Sequence, residues 1–486
     1  MRLKKIFGIQ FRTAVTRFAP SPTGALHLGG LRTALFNYLL AHKTGGKFHL
    51  RIEDTDATRT VPGSKEQIKE LLEWCMLNYE PTVLIQSERK EIYQKYANIL
   101  IDKGAAYKCY CTPERLEHVR AIQKKAKGSG YDRRCLNLTE EEKLNMERQP
   151  FTVRFKVPLE RKFTIVDDLV HGKVQVATKT LDDMILLKSD GLPTYHLANV
   201  VDDHLMGITH VLRGDEWIPS TPKHICLYEA FGWTPPKFAH LPLLMRKDGS
   251  KLSKRQNDVH VSYFRENGYL PEALLNFVAL LGWSPGTTKE FFSLPELVEN
   301  FDISNVNKAN CIVSYDKLDY LNKLHIGNKI DHNVDFVESI RKEFMLQHNT
   351  KIYDQDKLEI DTFKDILKAI KNRANNVQQI HSLIYPLLCS PDYSTNHAKK
   401  AIEKLDGQKL TDLAKALSSE LDIEWSKENI QAALNSYAAN HSLTFMELMK
   451  YTRYLICGTS VGIDLITALL IIGKRQTRLR LLNYNK

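Results

Sequence analysis

The residues best able to do chemistry come early in the chain. Gly24, Gly29 and Gly30 flank His27 in the run RFAPSPTGALHLGG. Glycines let backbone amides approach a phosphate, and a helix starting there adds positive potential. A histidine at that junction can donate a hydrogen bond to a phosphoryl oxygen as charge builds in a transition state. Taken alone, a proline–glycine turn beside a histidine is ordinary structure. A second cluster, Lys251-Leu252-Ser253-Lys254-Arg255, lies roughly two hundred residues later in the polar loop MRKDGSKLSKRQND. Its lysines can neutralise phosphate charge, although a lysine-rich loop alone is usually solvated surface. A third group is Cys109, Cys111 and Cys135. A structural zinc needs four ligands, and the fourth would have to be His118 or Tyr131, at a spacing that matches no standard finger. Buried free thiols are the expectation, with no metal.

The elements that must position these groups read as a parallel α/β unit. TRFA, residues 16–19, is a short strand running into a proline–glycine turn. LHLGGLRTALFNYLLAHK follows with Leu31, Leu35, Tyr38 and Leu39 at helical spacing, Gly45-Gly46 ends it, and KFHLRIED is the next strand. Strand, glycine-rich turn, helix and strand make a βαβ unit, which predicts a parallel sheet. From about Ala106 to Lys188 the pattern breaks, with a KKAKGSG stretch and the strand-like FTVRFKV and KVQVAT. This reads as an inserted module. Alternating segments resume from about Met184 to Leu244. From Pro271 onward the chain is mostly helical, with amphipathic segments such as TDLAKALSSELD and ENIQAALNSYAAN.

With 486 residues the chain exceeds what one core supports, so several domains are expected. Its net charge of +11 favours a polyanionic partner, nucleic acid first, with a merely basic surface as the alternative. Eight sparse cysteines suit a reducing compartment rather than a disulfide scaffold. No apolar run reaches the ~18 residues of a membrane span. The first acidic residue is Glu53, and MRLKKIFGIQFRT places Lys4, Lys5 and Arg12 opposite Leu3, Ile6, Phe7 and Phe11. That acid-free amphipathic start fits either a mitochondrial transit segment, residues 1–13, or a disordered leader. The terminal GKRQTRLRLLNYNK carries five basic residues and no acidic one, suiting either RNA phosphate or a solvated tail.

His27-Leu28-Gly29-Gly30, within RFAPSPTGALHLGG, resembles the HIGH signature of class I aminoacyl-tRNA synthetases in its glutamate and glutamine form, with Gly30 in place of the final histidine. KLSKR resembles the second signature, KMSKS. SDGLPTYHLANVVDDHLMGITHVLRGDEW and RIEDTD are similar to the glutamyl-tRNA synthetase family, and the resemblance spans Val15 to Leu324. It implies a Rossmann-type catalytic domain (14–105 and 189–258), an inserted acceptor-binding module (106–188), a stem-contact helical region (259–330) and an all-α anticodon-binding region (331–486). It also implies ATP with Mg2+, L-glutamate and tRNA(Glu) as partners, tRNA(Gln) as a further candidate, a monomer, and no membrane. GAAYKCYC and YDRRCLN look like mitochondrial members, which implies the mitochondrial matrix; bacterial cytoplasm is the alternative.

The resemblance assigns roles residue by residue. His27, Lys251 and Lys254 would stabilise phosphoryl transfer. Gly29, Gly30, Glu216, Leu252, Ser253 and Arg255 would join them around ATP. A dicarboxylic amino acid needs arginines and one acid, since guanidinium pairs carboxylate bidentately. Arg17 with Tyr195 would take the side-chain carboxylate and Arg213 the α-carboxylate, or the reverse. Glu53 would take the ammonium, with Ala19, Ser21 and Asn199 completing the pocket. Structural alternatives stay open: Tyr195 as a core aromatic, and Arg213 paired to Asp215 or Glu216. A glutaminyl-tRNA synthetase shares both signatures. A non-catalytic RNA-binding relative would need a broken site, and a shorter enzyme that glutamylates a tRNA base lacks the helical third.

Overall fold

The computed structural model describes residues 13–125, 131–252, 260–403 and 405–484. Two compact units result: one runs up to Phe264 and adds Leu274–Ser314, the other holds Arg265–Ala273 and everything from Tyr315 on. The amphipathic start expected at residues 1–13 lies almost entirely outside the described residues.

The first unit begins as the spacing predicts. Strand β1 (Val15–Phe18), helix α1 (Leu28–Lys43) and strand β2 (Lys47–Ile52) form the βαβ unit, with β1 and β2 parallel from Val15↔Lys47 to Phe18↔Leu50. Leu28, Leu31, Leu35 and Leu39 are fully buried along one stripe of α1. Each removes its side chain from water at a gain of roughly 1.5–3 kcal/mol. The return into β2 demands a glycine, because a Cβ on Gly46 would stand 2.0 Å from the Ala14 carbonyl oxygen. Helix α2 (Ser64–Trp74) leads to β3 (Leu84–Ile85), parallel to β2, and then to α3 (Lys90–Asp102).

The expected insertion is composite. Strands β4 (Ala106–Cys109) and β5 (Thr152–Phe155), separated by helices α4 (Pro113–Lys125) and α5 (Glu140–Met146), form an antiparallel sheet with the later β8 (Ile185–Leu187). The hairpin of β6 (Phe163–Asp168) and β7 (Gly172–Ala177) goes elsewhere. After α6 (Tyr195–Leu205), β9 (His210–Gly214) and α7 (Thr221–Phe231), strand β10 (Lys237–Leu241) lies between β9 and β6, parallel to both. The hairpin thereby extends the β9–β10 sheet, whose edge at Thr209 meets β1 through a hydrogen bond to the Val15 carbonyl (3.0 Å). Two short strands, β11 (Leu244–Met245) and β12 (Cys311–Ile312), pair in parallel.

The second unit is helical. In the helix Ile360–Ile370, Phe363, Ile366, Leu367 and Ile370 recur at i, i+3, i+4 and i+7, and all are buried. The helix Tyr315–His332 runs through the boundary expected at residue 330, because Ile326 and Ile330 belong to this unit's core. Arg480, in the basic C-terminal segment, neither contacts solvent nor offers itself to RNA. It is 4% exposed and donates to the carbonyls of Pro386, Ile456 and Cys389 at 2.6–2.7 Å, tying three helix ends together. Among the described residues, no helix is long and apolar enough to cross a membrane.

Candidate active site

The turn after β1 delivers His27 to the N-cap of α1. Its Nδ1 accepts the Gly30 backbone N–H at 3.2 Å, which leaves the imidazole proton on Nε2, a donor. The first turn of α1 holds no acidic residue, so the helix-end potential is not cancelled locally. Gly30 has a steric reason to be glycine: a Cβ there would meet the Leu26 side chain at 2.9 Å, and one on Gly29 would crowd the His27 ring at 3.1 Å.

The second signature segment arrives at the same place. Leu252 donates its N–H to the Leu244 carbonyl (3.0 Å), and Lys251 bridges Met245. Ser253, Lys254 and Arg255 lie outside the described residues. The chain is described again from His260, which bridges His27, and the Val261 N–H bonds the Leu26 carbonyl (2.9 Å). A cavity of about 410 Å³ opens here. His27, Gly29, Gly30, Lys251 and Leu252 line it, together with Arg17, Ala19, Ser21, Glu53, Tyr195, Asn199, Arg213 and Glu216. Every described residue expected in the site therefore faces one space. Trp217 also lines it, with its ring 4.3 Å from that of Tyr195, a place that a tryptophan within GDEW does not announce.

The charges in the wall form a network invisible in the motifs. Asp203, 1% exposed, accepts from Arg17 through Nε (3.0 Å) and Nη2 (3.3 Å), and from Arg51 Nη1 (2.5 Å). Arg51, fully buried, also donates to Glu53 Oε1 at 2.9 Å. With its amide oxygen toward Arg51 (2.9 Å) and its nitrogen toward Asp203 (3.3 Å), Asn199 satisfies both ends. Burial works against charge on Asp203, but Arg17 and Arg51 outweigh it and hold the carboxylate below its usual range. Burial likewise opposes the Arg51 guanidinium, and Asp203 and Glu53 overcome it. Arg213 pairs with neither Asp215 nor Glu216. Its guanidinium donates to Tyr195 Oη (2.9 Å), Thr221 Oγ1 (2.8 Å) and His240 Nε2 (3.2 Å). Burial raises the Tyr195 phenol, which stays protonated. Arg17 and Arg51 are matched by the carboxylates of Glu53 and Asp203, whereas the Arg213 guanidinium contacts uncharged groups and, among the described residues, no carboxylate directly.

The three cysteines of the inserted module are free, with Cys109 and Cys135 buried and Cys111 partly exposed, and they lie together. The sulfurs of Cys109, Cys111 and Cys135 lie within 4.8 Å of one another. Tyr131 Oη is 3.2 Å from Cys109 Sγ, and Arg154 Nε reaches that sulfur at 3.3 Å. Hydrogen bonds from Cys135, Tyr131 and Arg154 lower the Cys109 thiol towards thiolate. Arg115 Nη1 lies 3.2 Å from Cys111 Sγ. Three sulfurs gathered this closely form a candidate metal centre, in which Tyr131, 3.2 Å from Cys109 Sγ, is the candidate fourth ligand; free thiols are the alternative.

Comparison with known proteins agrees with this geometry. Residues 13–320 match the family model for class I tRNA synthetases (E and Q), catalytic domain, and residues 335–484 match an anticodon binding domain. The chain is 41% identical to the mitochondrial glutamate–tRNA ligase of Saccharomyces cerevisiae, over 96% of this chain and 89% of that one. It is 40% identical to the glutamate–tRNA ligase of Borreliella burgdorferi, over 95% and 96% respectively. A crystal structure of a glutamate tRNA ligase from Elizabethkingia meningosepticum, in complex with its amino acid, superimposes with a TM-score of 0.83 at 36% identity, covering 97% of this chain and 99% of that one.

Proposed function

This chain belongs to the glutamate–tRNA ligase family of class I aminoacyl-tRNA synthetases, and we propose that the cavity between His27 and Lys251 is where it joins glutamate to ATP. The enzyme activates L-glutamate to glutamyl-adenylate, releasing pyrophosphate, and transfers the glutamyl group to the 3′-terminal adenosine of tRNA(Glu). In the first step an α-carboxylate oxygen bonds to the α-phosphorus as the bond to pyrophosphate breaks. In the second a ribose hydroxyl attacks the mixed anhydride and AMP leaves.

The chain's own residues divide the work by charge. The Nε2–H of His27 donates to phosphoryl oxygens that gain charge in the transition state. Lys251, with Lys254 from the following segment, neutralises the leaving pyrophosphate, and Glu216 sits beside the nucleotide. Magnesium would accompany ATP and offset charge on its phosphates. Arg17 with Tyr195 takes one carboxylate of glutamate and Arg213 the other. Glu53 receives the ammonium, while Ala19, Ser21 and Asn199 shape the pocket. The observation that carries this reading is the buried Arg213 guanidinium at the cavity, which contacts no carboxylate of the described residues directly. Glutamate brings one net negative charge, whereas glutamine, almost its isostere, brings none and leaves a guanidinium uncompensated.

The sheet of β4, β5 and β8 would grip the acceptor end of tRNA, and the helical unit would read the anticodon. A zinc held by Cys109, Cys111, Cys135 and Tyr131 would brace that sheet. The enzyme works as a monomer, and its acid-free first segment directs it to the mitochondrial matrix; attaching residues 1–13 to a reporter and following import checks the address. Charging purified tRNA(Glu) and tRNA(Gln) with labelled glutamate tests the function. Labelled tRNA(Glu) is the expected product, label on tRNA(Gln) would add the second acceptor, and label on neither overturns the reading.

A further inference from the structure

Behind Arg213 lies a buried pair that no signature motif contains. His240, on β10, and Asp168, at the end of β6, both have side chains with no exposure, and His240 Nδ1 stands 2.6 Å from Asp168 Oδ2. Asp168 is itself fixed by the chain. Its Oδ1 accepts from the backbone N–H of Val170 (3.0 Å) and His171 (2.9 Å), and its Oδ2 from the N–H of His240 (3.2 Å). A carboxylate can only accept, so the imidazole proton sits on Nδ1 and Nε2 presents a lone pair. That lone pair receives Arg213 Nε–H at 3.2 Å. The hydroxyl of Thr221 accepts from Arg213 Nη2 (2.8 Å) and, with the Nε2 lone pair already taken, donates to the Trp217 carbonyl (3.1 Å).

We propose that Asp168 and His240 are positioning residues for the amino acid: Asp168 fixes the tautomer of His240, and His240 aims the Arg213 guanidinium at a carboxylate of glutamate. The inference rests on Arg213 being a carboxylate ligand. Burial keeps His240 neutral, as an acceptor must be. By joining the β9–β10 sheet, hairpin β6–β7 brings Asp168 to the back of the amino-acid pocket.

Two conservative variants separate an aiming role from a packing role. In His240→Gln the amide oxygen takes the place of Nε2 and keeps the acceptor for Arg213. In His240→Asn the amide nitrogen takes the place of Nδ1, keeping Asp168 satisfied but losing that acceptor. In tRNA-dependent pyrophosphate exchange, His240→Asn should raise the glutamate KM at least ~10-fold while kcat and the ATP KM stay within ~3-fold, and His240→Gln should recover most of the loss. Asp168→Asn supplies a second route should His240→Asn fail to fold. Its amide would face the Nδ1 proton, drive it to Nε2 and set two donors against each other at Arg213, again raising the glutamate KM. Equal KM values for the Asn and Gln variants, or an unchanged KM in Asp168→Asn, overturn the proposal. Arg213→Ala runs beside them: an unchanged glutamate KM there sinks the carboxylate assignment itself, whereas a raised one with wild-type behaviour in the other variants sinks the aiming role alone.

Discussion

Replacing Asp203 by asparagine tests the wall of the amino-acid pocket. The change keeps size and shape and removes one charge. Asp203 now takes three charge-assisted hydrogen bonds, two from Arg17 and one from Arg51, with all three side chains at most 3% exposed. Asparagine offers one oxygen in their place and turns an amide donor toward a guanidinium. Breaking one partner of a buried ion pair costs about 3–5 kcal/mol, because the charges left behind stay desolvated. Part of that appears as lost stability, and part as freedom for Arg17 to swing from the cavity. If half reaches the bound state, glutamate kcat/KM falls by roughly 10- to 70-fold, at 1.36 kcal/mol per factor of ten. The ATP KM should move less than about threefold, since Asp203 lies behind Arg17 and Arg51 on the amino-acid side. Steady-state pyrophosphate exchange with glutamate and ATP varied in turn reads both effects, and thermal unfolding reads the stability. Wild-type glutamate kcat/KM in a folded Asp203→Asn enzyme would refute the idea that this carboxylate holds Arg17 in place.

Three other predictions follow from the same geometry. Lys251→Ala and Lys254→Ala should each cut adenylate formation ~10²-fold while tRNA binding by filter retention changes little, because they act on charge developed at the triphosphate. Purified enzyme should carry one zinc per chain by elemental analysis, lost in Cys109→Ser together with several degrees of thermal stability; metal-free wild-type protein of full stability would contradict it. Stability should fall as pH drops from about 6.5 toward 4. Burial lowers His196 and His210 to about 4, and His224 well below its usual value, so the unfolded chain binds protons that the folded one refuses. For His196 alone the effect is on the order of 3 kcal/mol, fully present above pH 6.5, and denaturant unfolding across that range measures it.

The sequence disclosed what is local. A proline–glycine turn, a helical stripe and a glycine stop specify β1, α1 and β2, and the two signature segments predict a shared cavity that the fold does form around His27 and Lys251. What it hid depends on distance along the chain. Asp203 and Arg51 both sit in segments similar to the glutamyl-tRNA synthetase family, yet their pairing joins residues 152 positions apart. The Asp168–His240 contact spans 72 positions and relies on a hairpin crossing from an insertion to another sheet. Arg480 reads as a surface cation because a side chain tied to three carbonyls leaves no periodic mark. The cysteine group was half legible: Cys109, Cys111, Cys135 and Tyr131 can be named from the sequence, but only the fold brings the three sulfurs within 4.8 Å of one another.

The account stands or falls on amino-acid choice. Pyrophosphate exchange with tRNA present, driven in parallel by glutamate and by glutamine, measures it directly. The Arg213 guanidinium, buried with no carboxylate of the described residues against it, predicts glutamate kcat/KM about 10³-fold above glutamine, the equivalent of roughly 4 kcal/mol. Equal rates, or a preference for glutamine, would contradict it.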